Sequence, residues 1–235
     1  ERVGKTGYAH FFEHLMFEAT ENIPRASIDK YIQEAAGTLN AHTSFDETVY
    51  YIKLPSNELK LALWIESQRM RRLHVDSIGV ETQREVVIEE LKMRVDNQPY
   101  GTVLNKLCEN LWPGTNYGWP VIGYIKDIEK AEIEDFKAFY DRYYHPSNAV
   151  LVISGDFEID DAKKFVRQYF GQYKDNTRVK KTEFNPPQLE KEYTEDQYVK
   201  YLFQGGTLKE MEKNTDEKTF YILSLSMFSS QIKGN

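Results

Sequence analysis

Residues 10–14 read His10-Phe11-Phe12-Glu13-His14, two imidazoles four positions apart with a carboxylate between them. The two rings can serve one ion from the same side only if this stretch is helical, because positions i and i+4 then share a face. A catalytic zinc takes three protein ligands and keeps one position open for water. Any fold that uses the pair must therefore carry a third donor from elsewhere in the chain to this helix. Glu13, three residues after His10, can reach a water on such an ion without being a ligand itself. The order is the inverse of the commoner zincin pattern. The competing reading is two histidines on an amphipathic helix with no shared ion, and the third ligand decides between them.

Two carboxylates compete for that role, Glu89 and Glu90. Residues 80–95 read as a helix, on which Glu81, Glu85, Glu89 and Lys92 follow one solvated stripe with local charge pairing. Glu90 falls instead on the face of Gln83, Val86 and Val87. A carboxylate among apolar neighbours is costly unless it is paired or bound to a metal, so Glu90 is the better candidate.

These residues resemble the pitrilysin and insulinase type of inverted zinc metallopeptidases, a family that includes the mitochondrial processing peptidase. The resemblance rests on Gly4-Lys5-Thr6-Gly7-Tyr8-Ala9 leading into the histidine motif and Leu15-Met16-Phe17, and on Val86-Val87-Ile88-Glu89-Glu90. The separation from His14 to Glu90 is 90 − 14 = 76 residues, and the family's third ligand falls on Glu90. Residues 37–43, 117–123 and 144–150 are similar to a substrate-binding edge strand, a shared loop and the entry of a core strand.

The resemblance implies zinc held by His10, His14 and Glu90, with Glu13 as general base in peptide-bond hydrolysis. It implies that the Asn40 side chain and the Ala41 backbone hold an extended peptide by strand addition. It also implies a related second half, on this chain or on a partner subunit, that supplies further substrate contacts. Members of that family often carry a glutamate two helical turns before the ligand; the corresponding residue here is Gln83, which can hydrogen-bond a ligand but cannot share charge with the metal. His42 reads as a strand residue, with substrate contact as its functional alternative. The rival functional reading is a catalytically silent structural or assembly subunit of the same fold. A zinc hydrolase acting on a small non-peptide substrate is a third.

The expected fold is α+β, an antiparallel-rich sheet covered by helices on one face, the half-fold common to LuxS-type and processing-peptidase metallohydrolases. The expected domains are 1–185, a zinc-binding unit whose opening strand is missing, and 186–235, a linker with the start of a related unit without zinc. Residues 1–235 alone are expected to bind zinc with poor or no turnover.

Several local features are expected in detail. Ile28, Tyr31, Ile32 and Ala35 form a helical stripe ending at Gly37 as C-cap. Strands on either side of a turn at Ser44-Phe45-Asp46 form an antiparallel pair, and Ser56 caps the next helix. Helices are expected over 101–112 and 133–144, a strand over 150–153, and a helix carrying Ala162, Phe165, Val166, Tyr169 and Phe170. A linker from Lys174 through Pro186-Pro187 precedes a strand over 198–203 and an apolar helix over 220–228.

The net charge of −7, with signs interspersed, argues against a nucleic-acid surface, and no apolar run approaches a membrane span. The single cysteine, Cys108, shares a helical stripe with Leu104, Leu107 and Leu111 and reads as a core residue. Compartment is not readable. The resemblance favours the bacterial periplasm or cell envelope, with the cytoplasm as the alternative; the single cysteine is compatible with both.

Overall fold

The computed structural model of the chain describes residues 1–173, Pro187, and the backbone of 193–198 and 222–227. In order along the chain the elements are α1 (Tyr8–Leu15), α2 (Ile28–Glu34), β1 (Thr38–Thr43), β2 (Thr48–Lys53), α3 (Leu59–Arg72), α4 (Ser77–Leu91), α5 (Val103–Leu111), α6 (Ile125–Glu129), α7 (Ile133–Tyr143), α8 (Ile159–Phe170), β3 (Tyr193–Tyr198) and β4 (Ile222–Met227). The class is α+β, with β1–β2 and β3–β4 each an antiparallel pair. The chain divides into two compact units, residues 1–87 with 121–183 and residues 88–120 with 184–235.

In the first unit the core is aromatic and aliphatic by turns. Phe11 and Phe12 of α1 are fully buried. The Phe11 ring lies 4.5 Å from Phe136 of α7, and the Phe12 ring lies 4.7 Å from Tyr144. A second cluster joins Ile23, Ile28, Ile32 and Ile65, with Leu39, Ile52 and Trp64 packed against it. This cluster seats the β1–β2 hairpin, whose register pairs Asn40 with Tyr51, Ala41 with Tyr50 and Thr43 with Thr48. The apolar stripe of α8 is turned inward as its periodicity predicts, with Ala162 buried and Phe165, Val166, Tyr169 and Phe170 half-buried.

The start of α1 is held by a close approach of two backbones. Gly7 has φ 78° and Gly123 has φ 79°. A Cβ on Gly7 would meet the Gly123 Cα at 2.8 Å, and one on Gly123 would meet the Gly7 Cα at 2.6 Å. Only glycine fits such a pair of positions. Next to it the Thr6 hydroxyl donates to Asp127 (2.6 Å) and accepts from the Tyr124 N–H (3.2 Å). The Glu1 carboxylate accepts the N–H groups of Gly7 (3.2 Å) and Ala9 (2.8 Å), satisfying orphan donors of the first turn.

The second unit contains the last residues of α4, a π-helical turn over Lys92–Asp96, and α5. Cys108 is buried, and burial pushes its thiol up from the usual range. Leu104, expected on the same stripe, is 59% exposed.

Several local expectations are corrected. The left-handed residue after α2 is Ala36 (φ 57°), not Gly37. The Gly37 N–H bonds the Ile32 carbonyl (2.8 Å) and the Ala36 N–H bonds that of Gln33 (2.9 Å), a Schellman ending placed one residue earlier. Gly37 is small for another reason, since a Cβ there would meet the Lys53 carbonyl oxygen at 2.6 Å. Ser56 makes no cap, because residues Ser56–Glu58 form a 3-10 turn before α3. Helix α4 begins three residues earlier than its apolar pattern, since Asp76 accepts the Gly79 N–H (2.8 Å) as a cap.

Residues 150–153 form no strand. Val150 is 90% exposed, and no strand pairs with this stretch among the described residues; β-propensity without a neighbour makes no ladder. The helix expected over 220–228 is instead β4, which runs antiparallel to β3 with Leu225 opposite Glu195. Leu223, Leu225 and Met227 alternate with Ser224 and Ser226, a period of two, not 3.6. The linker expected over 174–186 lies outside the described residues. So does the strand expected over 198–203, apart from Tyr198, which ends β3.

Candidate metal centre

Burial of Phe11 and Phe12 fixes the roll of α1 and leaves His10, Glu13 and His14 on its other face. The His10 and His14 rings stand 4.9 Å apart at 76°. Glu90 lies in the last turn of α4, two turns beyond Gln83 on the same face. One ligand atom each from His10, His14 and Glu90 lie within 4.8 Å of one another. Ligands of a tetrahedral zinc at ~2.0–2.1 Å stand about 3.4 Å apart, so the three atoms exceed that spacing by about 1.4 Å at most. Two imidazoles and one carboxylate are a borderline donor set, which suits zinc.

Exposure separates the competing carboxylates. The Glu89 side chain is 65% exposed and pairs with Lys92 (2.6 Å), whereas that of Glu90 is 19% exposed and meets Arg94 at 2.8 Å. Val86, expected on the face of Glu90, is 45% exposed, whereas Val87 is fully buried.

Glu13 is held by a line of hydroxyls from the hairpin and α7. The Thr43 hydroxyl donates to Glu13 Oε2 and lies 3.1 Å from the Thr48 hydroxyl. Behind them the Tyr144 hydroxyl is 2.7 Å from that of Tyr50. A carboxylate accepts only, so Thr43 spends its proton on Glu13 and accepts that of Thr48. Burial pushes the Tyr144 hydroxyl up to about 12 and that of Tyr50 well above its usual range, so both stay neutral donors. Beneath them lies Arg69, fully buried, with its guanidinium 4.8 Å from the Tyr50 ring centre and 5.3 Å from that of Phe17. Arg69 pairs with Glu66, and its Nε and Nη1 make no hydrogen bond among the described residues.

On the other side of α1, Gln83 Oε1 stands 3.3 Å from His14 Nδ1, and Gln83 Nε2 donates to Glu18 at 2.7 Å. Glu18 is buried and paired with Arg25, whose second amino group holds Asp76 at 2.7 and 2.9 Å. The Gly79 N–H and the Arg25 guanidinium hold the Asp76 carboxyl below its ordinary range.

Asn40 and His42 are exposed on β1, while Ala41 and Thr43 are half-buried. The Asn40 side chain accepts the Ala41 N–H at 2.8 Å. Sequence reasoning missed Thr43 and Glu18. The strand's period of two marks Thr43 as inward-facing with Leu39 and Ala41. Glu18, by contrast, sits in a turn that no periodicity describes.

Comparisons with known proteins bear on the same residues. The family described as insulinase (peptidase family M16) matches residues 1–124, and the M16 inactive domain matches residues 130–219. The chain is 33% identical over 174 residues to zinc protease PqqE of Helicobacter pylori, covering 74% of this chain and 39% of that protein. It is 30% identical over 171 residues to the beta subunit of the mitochondrial-processing peptidase of Saccharomyces cerevisiae, covering 73% and 37%. A solved protease from Helicobacter pylori superposes with a TM-score of 0.76 at 31% identity, covering 80% of this chain and 46% of that one. The first half of the periplasmic protease PqqL of Escherichia coli, at 21% identity and a TM-score of 0.72, shares the fold. The chain thus spans less than half the length of each of these proteins. No helix among the described residues is long and apolar enough to cross a membrane. The chain belongs to the insulinase family of peptidases, family M16.

Proposed function

We propose that this chain is the zinc-bearing half of a metalloendopeptidase that cuts extended peptides. The observation that carries the reading is the convergence of His10, His14 and Glu90 beside Glu13. Zinc, when bound, lowers the pKa of water and stabilises negative charge on the scissile carbonyl oxygen. Glu13 takes the proton of the attacking water and passes it to the leaving amine. Thr43, bonded to Oε2, leaves Oε1 of Glu13 as the oxygen for that transfer. An extended peptide adds to β1, whose edge is covered by Asn40 bonding the Ala41 N–H; the peptide displaces that bond and takes both groups. A related half without zinc, on the same chain or a partner, completes the substrate chamber.

The test is zinc stoichiometry for wild type and Glu90→Gln, beside cleavage of an unstructured quenched peptide by wild type and Glu13→Gln in the full-length protein. One zinc per chain, weakened by Glu90→Gln, with cleavage abolished by Glu13→Gln, is the expected result. Zinc without cleavage by the wild type would overturn the peptidase reading in favour of a silent assembly subunit.

A further inference from the structure

Glu18 is a buried carboxylate that the reaction outlined above does not use. One oxygen is held by Arg25, and the other accepts a hydrogen bond from Gln83. A carboxylate paired with a guanidinium has no proton to give, so the group that Gln83 presents to it must be the amide NH2. That choice fixes which way the amide points and turns its carbonyl oxygen toward His14 Nδ1. A carbonyl oxygen only accepts, so His14 must carry its proton on Nδ1 and keep its lone pair on Nε2.

We propose that Glu18 is a positioning residue of the metal centre, acting through Gln83 to set the tautomer and ring angle of His14 so that Nε2 is the ligand atom. The proposal rests on the zinc reading of the site and deepens it. The usual glutamate at position 83 would place a negative charge directly on the histidine. Here the charge stands one side chain further away, and a neutral amide carries its orientation inward. Gly79 makes the arrangement possible, since a Cβ there would lie 2.9 Å from Arg25 Nη1 and 3.4 Å from Glu18 Cγ. The cluster is built for this geometry on every side: Arg25 anchors Glu18, Asp76 anchors Arg25, and the N-terminal turn of α4 anchors Asp76.

The experiment uses the full-length protein with two readouts: zinc affinity by chelator competition, and the His14 tautomer in zinc-free protein by long-range proton–nitrogen NMR at a pH where the ring is neutral. Wild type is expected to carry the His14 proton on Nδ1. Gln83→Leu removes the acceptor and is expected to weaken zinc binding by about 10- to 100-fold. Glu18→Gln frees the amide to turn over, mixing the tautomers and weakening zinc by roughly tenfold or less. Gln83→Glu sets two carboxylates against each other and also weakens zinc. The double exchange, Glu18→Gln with Gln83→Glu, restores donor and acceptor in order and recovers affinity to within a few-fold.

A His14 proton on Nε2 in wild type would overturn the proposal. So would a Glu18→Gln protein of lowered Tm with unchanged tautomer and zinc affinity, or a double exchange without recovery. Failure of wild type to bind zinc would defeat the metal-centre reading, while the tautomers of wild type and Glu18→Gln would still decide the relay.

Discussion

The two sides of α1 are supported by opposite kinds of chemistry. Glu13, which gives and takes a proton in the proposed reaction, is held by the Thr43 hydroxyl, with the neutral hydroxyls of Thr48, Tyr144 and Tyr50 behind it. His14, a ligand in the proposed metal centre, is met by an amide backed by the ion pairs of Glu18, Arg25 and Asp76. Hydroxyls orient a carboxylate without neutralising it. Ion pairs define a direction that an amide transmits. In the proposed reaction the base remains free to cycle while the ligand is locked.

The largest effect expected on this contrast is that of Glu13→Gln. Cleavage of an extended peptide by the full-length protein should fall by about 10²- to 10⁴-fold with zinc stoichiometry unchanged. Parallel loss of zinc would show that the two sides are not separable. Next is Arg69→Met, which removes a buried cation from between Phe17 and Tyr50 and leaves Glu66 alone. A loss of about 2 kcal/mol is expected, seen as a Tm lower by several degrees, with zinc affinity unchanged.

Thr43→Val keeps the shape of the strand and deletes the donor to Glu13. A fall in kcat of roughly tenfold, about 1.4 kcal/mol, is expected with KM and zinc affinity unchanged, the mirror image of Glu18→Gln. Equal effects of both variants on zinc would erase the distinction.

The smallest effect belongs to Asp76→Asn. The folded-state pKa of Asp76 is depressed, so its contribution is present above the unfolded value of about 3.9 and is lost as pH falls through the folded value. Its side chain is 43% exposed, which limits that contribution to under about 1 kcal/mol. Unfolding by denaturant should show wild type more stable than the variant at pH 7, with the gap closing in acid. A gap that persists below pH 3 would assign the effect to the lost cap bond instead.

What was legible in the sequence follows from periodicity. The faces of α1, α4 and α8 and the inward side of β1 come from spacings of 3.6 and 2, and the choice of Glu90 over Glu89 rests on the same geometry. Residues whose roles depend on distant partners were not legible. Glu18 and Arg25 are seven positions apart in an irregular stretch, and their link to His14 passes through Gln83 on another helix. Residues 150–153 have strand-like side chains, but a strand is a property of pairs, and their neighbour cannot be read from them. Gly37 reads as a C-cap from the sequence, but Ala36 takes the left-handed position at the helix ending, and Gly37 yields space to the hairpin.

The mutual contact of Gly7 and Gly123 also sets a schedule. These residues are 123 − 7 = 116 positions apart, so the seat of α1 does not exist until those further residues have been made. At ~5–20 residues per second, on the order of ten seconds separate the making of His10 and His14 from that of the loop that seats their helix. The histidine pair is made first and seated late.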